Sequence, residues 1–143
     1  MKWAALITWV ATAGFGFTML VIWLSRGGMK RGGQTGSKIR PVLILSHFLL
    51  AATGLVIWIA YVAKDKDTLA WIAFAILAVV ALLGWTMFFG WYRGRSSGAT
   101  GAVDPGTTLP EQHFPIAVVA LHGVLAVTTV VLVFLTAVGV GDS

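Results

Sequence analysis

The chain contains no cysteine and few charged residues. The lack of cysteine excludes disulfides, thiolate nucleophiles, iron–sulfur clusters, thiolate-bound zinc and covalently attached c-type haem. Charged side chains make up 10% of the 143 residues, against about 25% in an average soluble domain. With 58% hydrophobic residues and a mean hydropathy of +0.90, the composition is typical of a protein that lies in a lipid bilayer.

Acidic and basic residues are also missing from four long apolar runs, 3–24, 41–63, 69–92 and 114–140. Each run exceeds the ~20 residues that a membrane-spanning helix needs. The runs are continuous rather than alternating in polarity, which predicts helices and not a β-barrel. The sequence therefore predicts an all-α integral membrane protein, a four-helix bundle formed as a single domain by residues 1–143, whose first run is retained rather than cleaved as a signal peptide.

The basic residues are unevenly divided between the loops. Loops 25–40 and 93–113 together carry seven Lys and Arg, whereas the N-terminus and loop 64–67 carry three. This bias predicts a multi-pass protein of the plasma membrane with those two loops in the cytoplasm and both termini outside. We expect the basic loop 25–40 to contact anionic lipid. The basic residues that give the net charge of +5 cluster beside the spans, so nucleic-acid binding is not expected.

Loop 93–113 is rich in Gly, Ser and Thr and is predicted to be flexible in its first half. A short interfacial segment is expected at its end, followed by a kink at Pro115. His113 is interpreted as a residue of this membrane surface. No internal repeat is apparent beyond a proline and a histidine in each of the second and fourth runs.

Two histidines lie inside apolar runs, His47 in PVLILSHFLL and His122 in FPIAVVALHG. An ionisable side chain in a membrane is costly, so its presence points to a function, and neutral imidazole is the commonest biological metal ligand. The two residues follow Pro41 and Pro115 by six and seven positions, which places both about 10 Å inside the same membrane face. This equal depth predicts that the second and fourth spans are parallel neighbours whose imidazoles ligate one metal.

Small residues lie on the same helix faces as the histidines, notably Gly54 and Thr129. A flat porphyrin needs small side chains where it passes between helices, and the other two spans supply glycines at 14, 16 and 84. Three basic residues at the same membrane face are predicted to pair with haem propionates: Arg26, Lys38 and Arg40. Small residues at helical spacing also serve plain packing, and a buried histidine can simply hydrogen-bond a neighbouring helix. A shared non-haem metal is a further alternative.

Tryptophans occur both at the ends of the runs and within them. Those near the ends are predicted to form aromatic belts at the membrane surfaces: Trp3, Trp23, Trp71 and Trp91. The deeper ones are predicted to pack between helices: Trp9, Trp58 and Trp85.

The four-helix layout with His47 and His122 resembles small di-histidine b-type membrane cytochromes and the haem-bearing anchor subunits of respiratory enzymes. The resemblance covers the layout and the two histidines and no further motif. It implies one haem b, electron transfer with a quinone or a larger respiratory complex, and no catalysis at an iron that both histidines occupy. Two alternatives stay open: a non-catalytic accessory or assembly subunit of a larger membrane complex, and a channel or exporter for small molecules or lipids.

Overall fold

The structure, a computed structural model, describes residues 1–30, 39–97 and 109–141, with the side chain of residue 97 left out. Its four long helices are α1 (Lys2–Ser25), α2 (Pro41–Lys64), α3 (Asp67–Ser97) and α4 (Ile116–Ala137), and a 3₁₀ turn (Pro110–His113) precedes α4. All four helices are long and apolar enough to cross a membrane. The predicted all-α, multi-pass four-helix bundle is therefore confirmed.

The helix ends follow from local backbone chemistry. α1 ends in a Schellman motif, in which Gly27 has a φ of +83° and the Gly28 N–H donates to the Trp23 carbonyl at 2.9 Å. α2 begins at Pro41 and ends at Asp65 in the left-handed region. α3 continues five residues past the predicted end, to residue 97, because no proline interrupts it and charged residues do not break a helix that has left the bilayer.

The 3₁₀ turn and the extended backbone of Pro115 separate loop 98–108 from α4. The predicted break at Pro115 is therefore confirmed, whereas the interfacial position of the short segment before it stays a prediction. The predicted flexible half of loop 93–113 lies largely at 98–108, outside the described residues.

The helices form two close pairs, α1 with α4 and α2 with α3, and the contacts between the pairs are sparser. Within the described residues, α2 and α4 have no Cα atoms within 8 Å of each other, and neither do α1 and α3. These helices lie across the diagonals of the bundle. The prediction that the second and fourth spans are neighbours is therefore wrong: they are parallel but diagonal.

The two ends of the bundle are distinct. Met1 lies beside Gly141, and Lys2 forms an ion pair with Asp65 at 2.7 Å, so both chain ends and the α2–α3 link meet at what we call the terminal end. The opposite end, the loop end, carries the 3₁₀ turn, Ile39, and the last residues of α1 and α3.

The terminal half contains the packed core. It is built from eight buried residues: Ala5, Trp9, Trp58, Tyr61, Ala70, Ala73, Leu77 and Val133. The Trp58 ring lies 4.8 Å from that of Tyr61 and 6.4 Å from that of Trp9, centroid to centroid. In the loop half, none of residues 17–22, 42–46, 85–90 and 117–121 is buried, and the buried hydrophobic side chains lie at its outer end, among them Trp23, Ile39 and Trp91.

An internal repeat relates the two halves of the chain. Positions 3–23 of α1 align with 71–91 of α3 at an offset of 68 residues and share seven identical residues: Trp3/Trp71, Ala5/Ala73, Ala13/Ala81, Gly16/Gly84, Thr18/Thr86, Met19/Met87 and Trp23/Trp91. Positions 47–56 of α2 align with 122–131 of α4 at an offset of 75 and share five: His47/His122, Leu50/Leu125, Ala51/Ala126, Thr53/Thr128 and Val56/Val131.

The burial pattern follows the same offsets. The buried positions of α2 at 54, 58 and 61 map onto the buried positions of α4 at 129, 133 and 136. The expectation that the chain has no internal repeat is therefore wrong. The bundle consists of two related helical hairpins, α1–α2 and α3–α4, arranged so that α1 packs on α4 and α3 packs on α2.

Candidate functional site: a histidine pair between diagonal helices

His47 of α2 and His122 of α4 face each other between the two helix pairs. Their ring centroids lie 6.4 Å apart, and the ring planes are inclined by 58°. Both side chains are partly buried. Since α2 and α4 lie across a diagonal of the bundle, the two rings meet in its interior rather than at its lipid-facing surface.

Each imidazole is held by a backbone carbonyl of the helix on which its own helix packs. The Nδ1 atom of His122 lies 2.9 Å from the Thr12 carbonyl of α1, and Nδ1 of His47 lies 3.0 Å from the Val80 carbonyl of α3. A carbonyl oxygen only accepts, so each Nδ1–H donates. This tautomer leaves the lone pair of each Nε2 available as a ligand, and neither Nε2 forms a hydrogen bond to the described residues. A carbonyl that fixes the second ring nitrogen is the usual arrangement for metal-binding histidine.

A glycine makes room for each ring. A Cβ atom added to Gly16 would lie 2.9 Å from Cε1 of His122, and one added to Gly84 would lie 3.2 Å from Cε1 of His47. Each glycine follows the accepting carbonyl by four residues, one helical turn. The imidazoles therefore lie directly against bare backbone, at positions where even an alanine would displace them.

The two half-sites are equivalent under the internal repeat. The offset of 68 carries Thr12 to Val80 and Gly16 to Gly84, and the offset of 75 carries His47 to His122. Each histidine therefore contacts a carbonyl and a glycine of the other hairpin, and these occupy equivalent positions in the two hairpins. A group between the rings would meet the same chemistry on both sides.

The geometry fits bis-histidine ligation of one iron. With metal–nitrogen bonds of about 2.0 Å, two imidazoles on opposite sides of a metal have ring centres roughly 6 Å apart, close to the observed 6.4 Å. No group of three or more His, Cys, Asp or Glu that could hold a metal occurs among the described residues. A porphyrin brings four nitrogen ligands of its own and requires only two axial ligands from the protein, so two histidines would suffice for a haem.

Other residues predicted for the site lie elsewhere. The Trp9 indole packs on Gly54 and would lie 3.0 Å from a Cβ atom added there. The hydroxyl of buried Thr129 donates a hydrogen bond to the Leu125 carbonyl at 2.8 Å. Gly54 and Thr129 both follow the histidine of their own helix by seven residues, toward the terminal end, and belong to its packed half. The three predicted propionate partners do not adjoin the histidines in the described structure: Arg26 and Arg40 are exposed at the loop end, and Lys38 lies outside the described residues.

Three tryptophans are misassigned by the sequence interpretation. Trp23 and Trp91, expected at the lipid surface, are 0% and 7% exposed. Their Nε1 atoms have no acceptor among the described residues. Trp85, expected to pack, is 51% exposed. The 68-residue offset relates Trp3 to Trp71 just as it relates Trp23 to Trp91, yet the first pair is exposed and the second is buried, so only the tertiary structure separates the two pairs.

His113 is separate from the histidine pair. It ends the 3₁₀ turn at the loop end, where its Nδ1 lies 3.2 Å from the Leu109 carbonyl. The structure thus places His113 at one end of the bundle, and its interpretation as a residue of the membrane surface stays a prediction.

No protein-family model matches the chain, and comparison with curated proteins and with solved structures finds no match for it.

Proposed function

We propose that this chain is a b-type membrane cytochrome, or the cytochrome subunit of a larger complex, which binds one haem b between His47 and His122. One observation carries the proposal: two imidazoles with ring centroids 6.4 Å apart, each with Nδ1–H committed to a backbone carbonyl and with no hydrogen bond at Nε2 to the described residues. Bound haem supplies reversible one-electron transfer.

The chain's own residues define how that site behaves. The Thr12 and Val80 carbonyls fix the tautomer and rotation of both rings and raise their basicity as ligands. Occupation of both axial positions leaves no site for oxygen or substrate on the metal. The proposed role is therefore electron transfer without independent catalysis, at the plasma membrane, with a quinone or a respiratory complex as partner.

Plain helix packing explains less of the geometry. A histidine that only joins two helices needs one ring nitrogen and one acceptor. Packing accounts for the glycine beneath each ring, which lets the histidine reach the neighbouring helix, but it gives no reason for the two rings to lie 6.4 Å from each other. An axial ligand requires both its free nitrogen and its fixed orientation, which accounts for these features together.

Absorbance spectroscopy of the detergent-purified protein tests the proposal. A low-spin Soret band with dithionite-dependent α and β bands is expected, and His47→Ala or His122→Ala should each abolish that low-spin spectrum. His113→Ala is the matched control and should keep it. Protein that stays colourless after expression with excess haem and after reconstitution would overturn the proposal.

An accessory-subunit role is the second candidate, favoured by one surface of α3. Four aromatic side chains are exposed there and contact one another: Trp85, Phe88, Phe89 and Tyr92. Such a row suits lipid or a neighbouring membrane subunit equally. Co-purification of this chain with a partner, lost when Trp85 and Phe89 are replaced by Leu, would support that role.

A further inference from the structure

Trp23 and Trp91 place two unused hydrogen-bond donors at the loop end of the bundle. An indole N–H can only donate, and both Nε1 atoms are buried without an acceptor among the described residues. A buried donor without an acceptor is unfavourable, because it has lost its hydrogen bond to water and gained none in return. Two such donors at repeat-equivalent positions indicate a ligand that carries two equivalent acceptors.

The depth of the two indoles fits the edge of a haem held by the histidine pair. Trp23 follows Gly16 by seven residues, and Trp91 follows Gly84 by seven, so both backbone positions lie about 10 Å from the level of the imidazoles toward the loop end. Between these levels no side chain of the described helices is buried. In the opposite direction, Trp9 and Trp58 fill the bundle.

Charge favours the same end for an anionic group. Among the described residues, the loop end carries five cations and buried Glu111: Arg26, Lys30, Arg40, Arg93 and Arg95. At the terminal end, the acids Asp65 and Asp67 oppose three lysines. Carboxylates directed toward the loop end therefore meet a net positive field.

We propose that the indole N–H groups of Trp23 and Trp91 donate hydrogen bonds to the two haem propionates, and so fix which edge of the porphyrin faces the loop end. The proposal rests on the haem site proposed above. The two propionates are the paired acceptors of haem b, and the two indoles are the paired donors that the repeat supplies. Arg26 and Arg40, predicted from sequence for this role, are exposed and contribute the surrounding field.

Trp23→Phe and Trp91→Phe test the assignment, because each keeps an aromatic ring and removes the N–H. Each variant should keep the bis-histidine spectrum, shift the propionate bending band in resonance Raman spectra, and release haem to apomyoglobin about tenfold faster, the loss expected for one hydrogen bond to a charged acceptor. With haem dimethyl ester, whose ester groups are uncharged, the difference in release rate from wild type should largely disappear.

Trp58→Phe is the matched control at the other end. Its indole is buried and already bonds the Lys2 carbonyl at 3.3 Å, so the propionate band should stay unchanged. If the Trp58 variant shifts the band and the Trp23 and Trp91 variants do not, the haem has the opposite orientation and the proposal is overturned. If wild type binds bis-histidine haem and both loop-end variants have its propionate band and its rate of haem release, the indole assignment is wrong and the proposed haem site is unaffected.

A measurement on wild type keeps the test decisive if the variants fail to fold. Indole hydrogen exchange can be followed by NMR on ¹⁵N-tryptophan protein in the diamagnetic ferrous state. Two of the seven indoles should exchange more slowly when haem is bound, and less so with the dimethyl ester. Seven unchanged exchange rates would overturn the proposal, whereas protein that takes up no haem would instead contradict the proposed function.

Discussion

The terminal half and the loop half of the bundle are made by the same four helices, but they differ in how far residues related by the internal repeat are alike. In the terminal half, the large buried side chains have smaller equivalents: Trp9 with Leu77, Trp58 with Val133, and Tyr61 with Thr136, whereas only the small pair Ala5 and Ala73 is identical. In the loop half, the residues of the histidine site and the two buried indoles are identical between the hairpins: Gly16 with Gly84, His47 with His122, and Trp23 with Trp91.

This contrast has a steric explanation. Where protein alone fills the space between the hairpins, two copies of one large side chain would meet near the approximate two-fold axis and clash, so a large residue faces a small one. The contact of the Trp9 indole with Gly54 is an example. Where equivalents stay identical, the space between them suits a group that presents the same chemistry to both sides. A bis-histidine haem, with one axial nitrogen on each face and two propionates at one edge, has that character.

The largest expected effect concerns the terminal half. Trp58→Ala removes a fully buried side chain that packs on Trp9 and Tyr61, and should lower the free energy of unfolding by about 3–5 kcal/mol. Unfolding of the haem-free protein by SDS in mixed micelles measures it. Trp85→Ala, at a position 51% exposed, is the control and should cost far less. Equal losses for the two variants would contradict a core confined to the terminal half.

Substitutions in the loop half should affect haem affinity more than the stability of the haem-free protein. Gly16→Ala and Gly84→Ala place a Cβ 2.9 Å and 3.2 Å from Cε1 of the histidine rings, and such overpacking costs about 1–3 kcal/mol. Haem affinity should therefore fall by about ten- to a hundredfold, more at Gly16. The haem-free protein should lose less, because an unligated imidazole can rotate away from the added methyl group and alanine is the better helix former by about 1 kcal/mol.

Two other glycines provide matched controls for this prediction. An added Cβ would meet nothing within 4 Å at Gly14 of α1 or at Gly90 of α3. Gly14→Ala and Gly90→Ala should leave haem titrations unchanged. Loss of affinity in all four variants would show that helix flexibility, and not clearance for the histidines, is the cause.

The sequence predicts the spans well because uncharged runs of about 20 residues leave few alternatives to a membrane helix. It also selects His47 and His122, since ionisable residues are rare in such runs. It misjudges which neighbours surround them. Gly54 shares a helix face with His47, yet the space beside Gly54 is occupied by Trp9 of α1.

The misassigned residues have two causes. Helix periodicity shows which residues share a face but not which helix packs on it, so the diagonal arrangement and the Thr12 and Val80 acceptors come only from the tertiary structure. For Trp23, position near a run end indicated lipid, but the Schellman turn brings Gly28 onto its indole and buries it.

The smallest expected effect lies at the surface of the terminal end. Lys2 pairs with Asp65 at 2.7 Å, with side chains 28% and 70% exposed, and exposed pairs contribute about 0–1 kcal/mol. Lys2→Met should lower the free energy of unfolding by no more than that, with a smaller difference at high salt. The backbone carbonyl of Lys2, which accepts from the Trp58 indole, is kept in this variant. A loss comparable to that of Trp58→Ala would mean that this ion pair, rather than the aromatic core, holds the terminal half together.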